Sequence, residues 1–285
     1  MTSAQTFNEQ QRTRWNGIDG EFWTREQDRL DRMLAPITGP LLVFAAPVAR
    51  TTVIEVGCGC GTLAIELARA VGPSGRLVAV DLSEPMLAVA RERLGTFANA
   101  SCLLGDAAEL SFQGLNAELI TSRFGVMFFG EPVAAFANLA TGLAPGGRLR
   151  FACWRPIEEN PWLRVPLQAV YEHVPRLPPS APEEPGPFTF GDTTRVKRIL
   201  TMAGFTTPTF TPLDISIELA PGGTVDDAAL QATGTGPARR ALEGQPEKVR
   251  EAAIESIRRA LASYNSDTGV KLPGGVWLVG AERAR

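Results

Sequence analysis

The chain has 285 residues, 44% of them hydrophobic and 21% charged, so it can bury a sizeable core and is not intrinsically disordered. A net charge of -3 without a long basic block argues against DNA or RNA as a partner. One histidine and four cysteines without a second paired-Cys motif argue against a metal site. We find no signal peptide and no run of 18 apolar residues, and expect a cytoplasmic protein with reduced thiols that does not bind membranes.

Residues 1–34 have a polar, helical pattern that nevertheless carries Trp15, Phe22 and Trp23. These aromatic side chains either pack a surface helix on the main domain or form a lid over a bound ligand, and the two interpretations are compatible. A separate helix is predicted over 40–46. We therefore assign residues 1–50 to an N-terminal helical lid.

A β-branched run at 51–56 leads into the alternating glycines Gly57, Gly59 and Gly61, and an apolar helix follows to Val71. This order predicts a buried strand, a tight turn and a helix N-terminus that opens on the crevice beyond the strand. A dinucleotide-binding turn would read G-x-G-x-x-G, but the third glycine comes one place early and Thr62 occupies its position. A phosphate-binding P-loop is excluded because no G-K-[ST] follows.

Two further strands are predicted at 76–81 and 100–104; the first ends in an acidic residue and the second is followed by one. Asp81 lies about 20 residues beyond the glycine turn, where doubly wound folds place the carboxylate that holds ribose hydroxyls. The alternative, a helix-capping role, is already filled by Ser83. Asp106 and Ala107 follow the next strand in a Gly-Asp-Ala turn. Cys102 is expected to be buried in that strand, and Cys153 in a later one.

Strand four is predicted at 117–122, and its end leads into the aromatic loop 122–129. This loop is either a hydrophobic wall or the floor beneath a reactive group. A helix with a buried face over 133–143 and a Pro-Gly-Gly turn lead into strand five at 148–154. The alternation of strands and helices from 51 to 154 predicts a parallel, doubly wound sheet.

The regular alternation ends after Trp154. Residues 155–190 are rich in proline and aromatic residues and too long for a plain connector, which predicts a functional insert. Residues 191–285 are expected to complete the sheet, with a helix at 193–203, strands at 206–219 and 270–281, and a helical insertion at about 220–267.

The motifs Glu-x-Gly-x-Gly-x-Gly at 55–61, Asp81 at the end of strand two and Leu-x-Pro-Gly-Gly-x-Leu at 143–149 resemble those of class I S-adenosylmethionine-dependent methyltransferases. The closest resemblance is to bacterial small-molecule methyltransferases of the type 11 group. It implies an α/β fold with a doubly wound, Rossmann-like sheet of seven strands, the last ones antiparallel. Residues 51–154 would form the cofactor-binding core and 155–190 a substrate insert.

The resemblance further implies roles for individual residues. S-adenosylmethionine would lie along the strand ends, held by Glu55, Gly57, Gly59, Gly61, Asp81, Leu82, Met86, Asp106, Ala107, Ser122 and Phe124. The acceptor would contact Trp15, Trp23, Trp154, Trp162 and Phe188. If the acceptor must lose a proton, His173 and Tyr171 are the candidate bases, although a lone histidine in an aromatic helix is more often structural.

We predict methyl transfer to a small, largely apolar, aromatic or heteroaromatic metabolite, as in natural-product tailoring. The alternatives are a non-catalytic cofactor-binding or scaffold protein and a nucleotide-dependent oxidoreductase. The sequence does not indicate whether oxygen, nitrogen or carbon is methylated, nor the oligomeric state.

Overall fold

The computed structural model describes residues 3–178 and 184–284. Its strands are β1 (Thr52–Val56), β2 (Arg76–Asp81), β3 (Ala100–Leu104), β4 (Ala117–Arg123), β5 (Leu143–Trp154), β6 (Phe205–Glu218), β7 (Asn265–Ser266) and β8 (Gly269–Arg283). The sheet order is β3-β2-β1-β4-β5-β8-β6, with the two-residue β7 paired to β8. Strands β1 to β5 pair in parallel, whereas β8 is antiparallel to both β5 and β6. The predicted fold class is therefore confirmed.

Within the described residues, the helices are α1 (Ser3–Asn16), α2 (Ile18–Arg25), α3 (Gln27–Ala45), α4 (Thr62–Val71), α5 (Glu84–Leu94), α6 (Pro132–Gly142), α7 (Pro161–Val170), α8 (Thr193–Met202), α9 (Val225–Thr233), α10 (Gly236–Leu242) and α11 (Glu247–Leu261). Helices α9 to α11 lie between β6 and β7. None of these helices is long and apolar enough to cross a membrane.

The prediction of a separate helix at 40–46 was wrong, because α3 runs unbroken from Gln27 to Ala45 with Pro36 and Pro40 inside it. A proline in a helix interior removes one backbone hydrogen bond. The buried stripe of α3 nevertheless keeps its helical spacing across both prolines, so packing against the sheet outweighs that loss. The stripe consists of Leu30, Met33, Leu34, Ile37 and Leu41.

The core lies against the centre of the sheet, where β1, β2 and β4 are almost completely buried. Strand β3 is an edge strand, and its residues are half-buried or exposed. Cys102 is consequently only half-buried, which corrects its predicted burial. Strand β5 also begins earlier than predicted, since Leu143 already pairs with Ala117.

Candidate functional site

A cavity of about 1220 Å³ opens at the carboxyl ends of β1 to β4. Helices α1 to α3 cover one side of it, and the segment after β5, residues 184–189 and α10 cover the other. Ligand pockets usually measure ~300–1000 Å³. This cavity therefore has room for two ligands side by side. Residues 179–183 of the predicted insert lie outside the described part of the chain.

The glycine turn follows β1 and forms the floor of the cavity. Gly57 and Gly59 have φ angles of +69° and +56° and line the cavity. Gly57 also lies against Gly125, so close that a Cβ atom on Gly57 would be 2.7 Å from the Gly125 Cα atom. Two loops can approach this closely only because both residues lack a side chain.

Gly61 lies behind the other two glycines of the turn. It does not line the cavity, and a Cβ atom at this position would lie 3.2 Å from Ala90. Its φ of +84° and its lack of a side chain let the start of α4 pack against α5. Gly61 therefore shapes the turn without facing the cavity.

Asp81 is held at the end of β2 by backbone amides. Its Oδ2 accepts a hydrogen bond from Gly59 N at 2.7 Å, and its Oδ1 accepts one from Ser83 N at 2.8 Å. Ser83 caps α5, as predicted, by accepting from Met86 N. Burial raises the pKa of Asp81, while the amide hydrogen bonds oppose that rise. A carboxylate has about four lone-pair sites, so Asp81 retains acceptor capacity toward the cavity.

Asp106 and Ala107 occupy the end of β3 and also line the cavity. Asp106 Oδ1 accepts from Ala108 N at 2.9 Å, which leaves Oδ2 for other donors. Asn138 fixes the turn from behind by donating to the carbonyl oxygens of Ala107 and Leu110. The acidic residues at 81 and 106 thus lie at the ends of adjacent strands, beside the half-buried Leu82 and the buried Met86.

Glu55 is the most unusual group in the cavity. It is 1% exposed, and its Oε2 has no hydrogen-bond partner among the residues that the structure describes. Burial raises its pKa to about 8; the Arg123 guanidinium lowers it and Asp81 raises it further. Arg123 is half-buried; loss of solvation lowers its pKa, and it donates to Thr38 Oγ1 at 2.7 Å. An unpaired carboxyl oxygen beside a cavity is a place for a hydrogen-bond donor or a cation.

Aromatic rings form the wall that extends from β4 to α7. Phe124 stacks on Trp154, with ring centroids 4.2 Å apart and planes at 8°, and Trp154 contacts Trp162 at 5.1 Å. Phe124 has a φ of +71°, a conformation rare for a bulky residue. Phe188 completes this side of the cavity. Ser122, in contrast, is fully buried, accepts from Gly125 N and does not line the cavity.

Helix α1 brings a second aromatic group over the strand ends. Trp15 contacts Trp23 at 6.5 Å and Phe128 at 5.6 Å, and all three line the cavity. The helix end is anchored beside Asp81, where Ser83 Oγ donates to Trp15 O. Asn16 adds two bonds, one to Leu82 O and one from Glu84 N.

Two polar clusters that the sequence analysis missed join the N-terminal helices to the cavity. Asp19 of α2 pairs with Arg14 of α1 and with Arg239 of α10. Asp31 of α3 accepts from Thr62, at the start of α4, and from Arg93 of α5. The partners in each cluster are far apart in sequence, so no local pattern could have indicated them. The only local pattern near these partners is the Gly-Thr-Gly-Pro sequence at 234–237, which indicates a turn at the start of α10.

The two candidate bases lie in different places. Tyr171 lines the cavity, whereas His173 is exposed and does not. The turn after α7 directs His173 toward α11, where its Nε2 lies 2.8 Å from Ser256 Oγ. The placement of His173 therefore gives no support to its predicted catalytic role.

Comparison with known proteins agrees with this geometry. A family profile described as a methyltransferase domain matches residues 53–147. The chain is 35% identical over 97 residues to demethylmenaquinone methyltransferase of Staphylococcus aureus. The matched region is 34% of this chain and 40% of that relative. The chain therefore spans less than half the length of the curated relatives it matches. The resemblance predicted from the glycine turn is confirmed over this region.

Solved structures extend the likeness to most of the chain. BH2331 of Bacillus halodurans superimposes with a TM-score of 0.55 at 18% identity, covering 87% of this chain and 99% of that one. The [4+2]-cyclase SpnF superimposes with a TM-score of 0.51 at 14% identity, covering 93% and 96%. At these identities the likeness concerns the fold alone, and the second structure is described as a cyclase, which performs a different chemistry.

Proposed function

We propose, on the premise that residues 53–147 form a class I methyltransferase domain, that this chain transfers a methyl group from S-adenosylmethionine to a small, largely apolar, aromatic or heteroaromatic metabolite. One observation carries the proposal. Acidic side chains at the ends of three adjacent strands, Glu55, Asp81 and Asp106, face the same cavity as the aromatic wall. That cavity has volume for a cofactor and an acceptor together.

The residues present fit the cofactor. Asp81 retains lone pairs for a pair of ribose hydroxyls, and Asp106 retains Oδ2 for an exocyclic amine. The unpaired Oε2 of Glu55 suits an ammonium group. Gly57 and Gly59 present bare backbone to the cavity, with Leu82, Met86 and Ala107 as apolar neighbours. Gly61 and Ser122 lie behind this surface and do not line the cavity.

The aromatic wall supports a flat, apolar acceptor. Phe124, Trp154 and Trp162 present stacked or tilted rings, a geometry that favours planar ligands. Trp162 Nε1 is already bonded to Asn160 Oδ1 at 3.1 Å, so this ring contributes mainly its apolar face. Natural-product tailoring is the metabolic setting that such an acceptor suggests.

The protein's own residues would act mainly by position. When bound, S-adenosylmethionine would supply a methyl group activated by positive sulfur, with S-adenosylhomocysteine as the neutral leaving group. The aromatic wall would hold the acceptor in line, while α1 and α2 would exclude water from the cavity. If the acceptor must lose a proton, Tyr171 is the candidate base because it lines the cavity.

A non-catalytic or differently catalytic protein is the second candidate. The fold likeness to SpnF, which is described as a [4+2]-cyclase, favours a different catalytic chemistry on this fold. An oxidoreductase is a weaker candidate, because Thr62 replaces the third glycine of a dinucleotide-binding turn.

A cytoplasmic location belongs to the proposal and is supported by the four free thiols. The acidic net charge of the chain favours a small acceptor over nucleic acid.

Calorimetry with S-adenosylhomocysteine tests the cofactor assignment. We expect the chain to bind it at a 1:1 ratio and Asp81→Ala to weaken binding at least tenfold, about 1.4 kcal/mol, because a charged acceptor is lost. Asp81→Asn keeps one acceptor oxygen and the side-chain volume, and should fall between the two. The exposed Asp226→Ala serves as control. Unchanged affinity in a folded Asp81→Ala protein would contradict the assignment.

A further inference from the structure

A second, smaller cavity lies behind the N-terminal helices. It measures about 450 Å³ and separates α2 and the start of α3 from α9, α10 and the start of α11. Gly234 and Arg239 border both this cavity and the larger one. The second cavity is therefore a neighbour of the proposed active site, and none of the roles assigned above uses it.

Its lining is rich in guanidinium groups. Arg25, Arg29, Arg239 and Arg250 border it, against two carboxylates, Glu26 and Glu243. Glu26 is shared by two of these arginines, at 3.0 Å from Arg25 and 3.8 Å from Arg29. Arg239 pairs with Asp19, which it shares with Arg14. Each of these paired carboxylates thus serves two guanidiniums, so the cavity keeps an excess of positive charge and of N–H donors.

A buried amide adds a further donor. Gln231 lines the cavity and is 4% exposed. Its Oε1 accepts from Arg29 at 2.8 Å, which fixes the amide so that Nε2 is the remaining donor. Nε2 has no hydrogen-bond partner among the described residues. A buried donor without an acceptor destabilises the folded chain, and a bound acceptor would remove that cost.

Apolar side chains also line the cavity. The guanidiniums of Arg25 and Arg239 lie 5.5 Å and 5.4 Å from the centroid of the Phe22 ring. Ile18 and Leu230 also border the cavity, and both are 59% exposed although they are large aliphatic residues. An anion with an apolar body would complement both parts of this lining.

We propose that this second cavity binds a small organic anion, a carboxylate on an apolar body, between α2 and α9–α10. The acid group contacts the guanidiniums and Gln231 Nε2, and the apolar body covers Phe22, Ile18 and Leu230. Because α2 and α10 also wall the larger cavity, an occupant that joins them holds the larger cavity closed. By linkage it raises the affinity for the ligand enclosed there.

Benzoate is the probe, with acetate and benzamide as matched controls that lack the ring and the charge respectively. Calorimetry on the full chain, saturated with S-adenosylhomocysteine, should show 1:1 benzoate binding at least tenfold tighter than either control. The double variant Arg25→Gln/Arg250→Gln should lose at least tenfold in benzoate affinity. Arg258→Gln on α11, outside the cavity, should retain it.

The absence of saturable benzoate binding, equal binding of acetate or benzamide, or undiminished binding by the double variant would overturn the site. The coupling has its own readout: saturating benzoate should raise S-adenosylhomocysteine affinity several-fold in the native chain but not in the double variant. Unchanged affinity would overturn the coupling. If S-adenosylhomocysteine does not bind at all, the proposed function fails, and benzoate titration of the free chain still tests the second site.

Discussion

Glu55 illustrates how one buried group can serve binding at the expense of stability. Its carboxyl group is desolvated, one of its oxygens is unpaired among the described residues, and burial raises its pKa to about 8. The folded chain therefore binds a proton at Glu55 that the unfolded chain releases near the ordinary value of 4.5. Between these two values stability falls as the pH rises, by on the order of 5 kcal/mol in total.

Glu55→Gln removes this ionisation while keeping the side-chain shape. In the absence of ligand, we expect the variant to melt at a higher temperature than the native chain at pH 8.5, and the two to differ least near pH 5. The physical reason is that only the native chain must bury a charge at high pH. Thermal denaturation at both pH values measures the effect, with the exposed Glu66→Gln as control.

The same variant should bind S-adenosylhomocysteine at least tenfold more weakly at pH 8.5, because the carboxylate that would face the ammonium group is lost. A Glu55→Gln protein with the native stability profile and the native affinity would refute both roles.

At the scale of elements, the contact between the glycine turn and the loop after β4 shapes the cavity floor. A Cβ atom on Gly125 would lie 2.8 Å from both the Gly57 Cα atom and the Val56 carbonyl oxygen. Neither backbone atom can move without shifting β1 or the turn. Gly125→Ala should therefore cost about 1–3 kcal/mol of unfolding free energy and weaken S-adenosylhomocysteine binding.

Gly39→Ala provides the matched comparison. Gly39 lies inside α3, and nothing would be within 4 Å of its Cβ atom. Alanine there should stabilise the chain by about 0.5–1 kcal/mol and leave binding unchanged. Chemical denaturation measures both variants, and a Gly125→Ala protein as stable as the native chain would show that the two loops can separate freely.

Local sequence patterns predicted the elements whose structure depends on residues close together in the sequence. The apolar run of β1, the glycines after it and the Ser83 cap each depend on a few neighbouring residues, and the structure has them where predicted. Helix α3 deviated because packing of its buried stripe outweighs two interior prolines. The clusters at Asp19 and Asp31 were not predictable, since their partners come together only through the fold.

In the molecule as a whole, polar contacts hold helices α1 and α2 against the walls of the cavity. Asn16 and Trp15 hold α1 beside the end of β2, Arg12 of α1 pairs with Glu109, and Asp19 holds α2 to α10. The buried stripe of the core, in contrast, begins at Leu30 of α3. We therefore interpret α1 and α2 as a lid, together with the described part of the insert, residues 184–190.

Deletion of residues 1–20 tests this interpretation. The buried stripe of α3 begins at Leu30, so the truncated chain should remain folded, while its affinity for S-adenosylhomocysteine should fall at least tenfold. A shorter truncation that ends before Asn8, the first residue that lines the cavity in the described part of the chain, should bind normally. In the native chain, amide exchange in residues 8–34 and 184–190 should slow when the ligand binds. Unchanged exchange there would contradict the lid.

Methyl transfer to a small apolar acceptor can be tested by following the methyl group itself. The chain is incubated with isotope-labelled S-adenosylmethionine and fractionated bacterial metabolites, and the label is traced by mass spectrometry. We predict that the label appears in a small aromatic or heteroaromatic product, and that the Asp81→Ala protein does not form this labelled product. Cofactor binding without any labelled product, or label found mainly in RNA, protein or a highly charged metabolite, would contradict it.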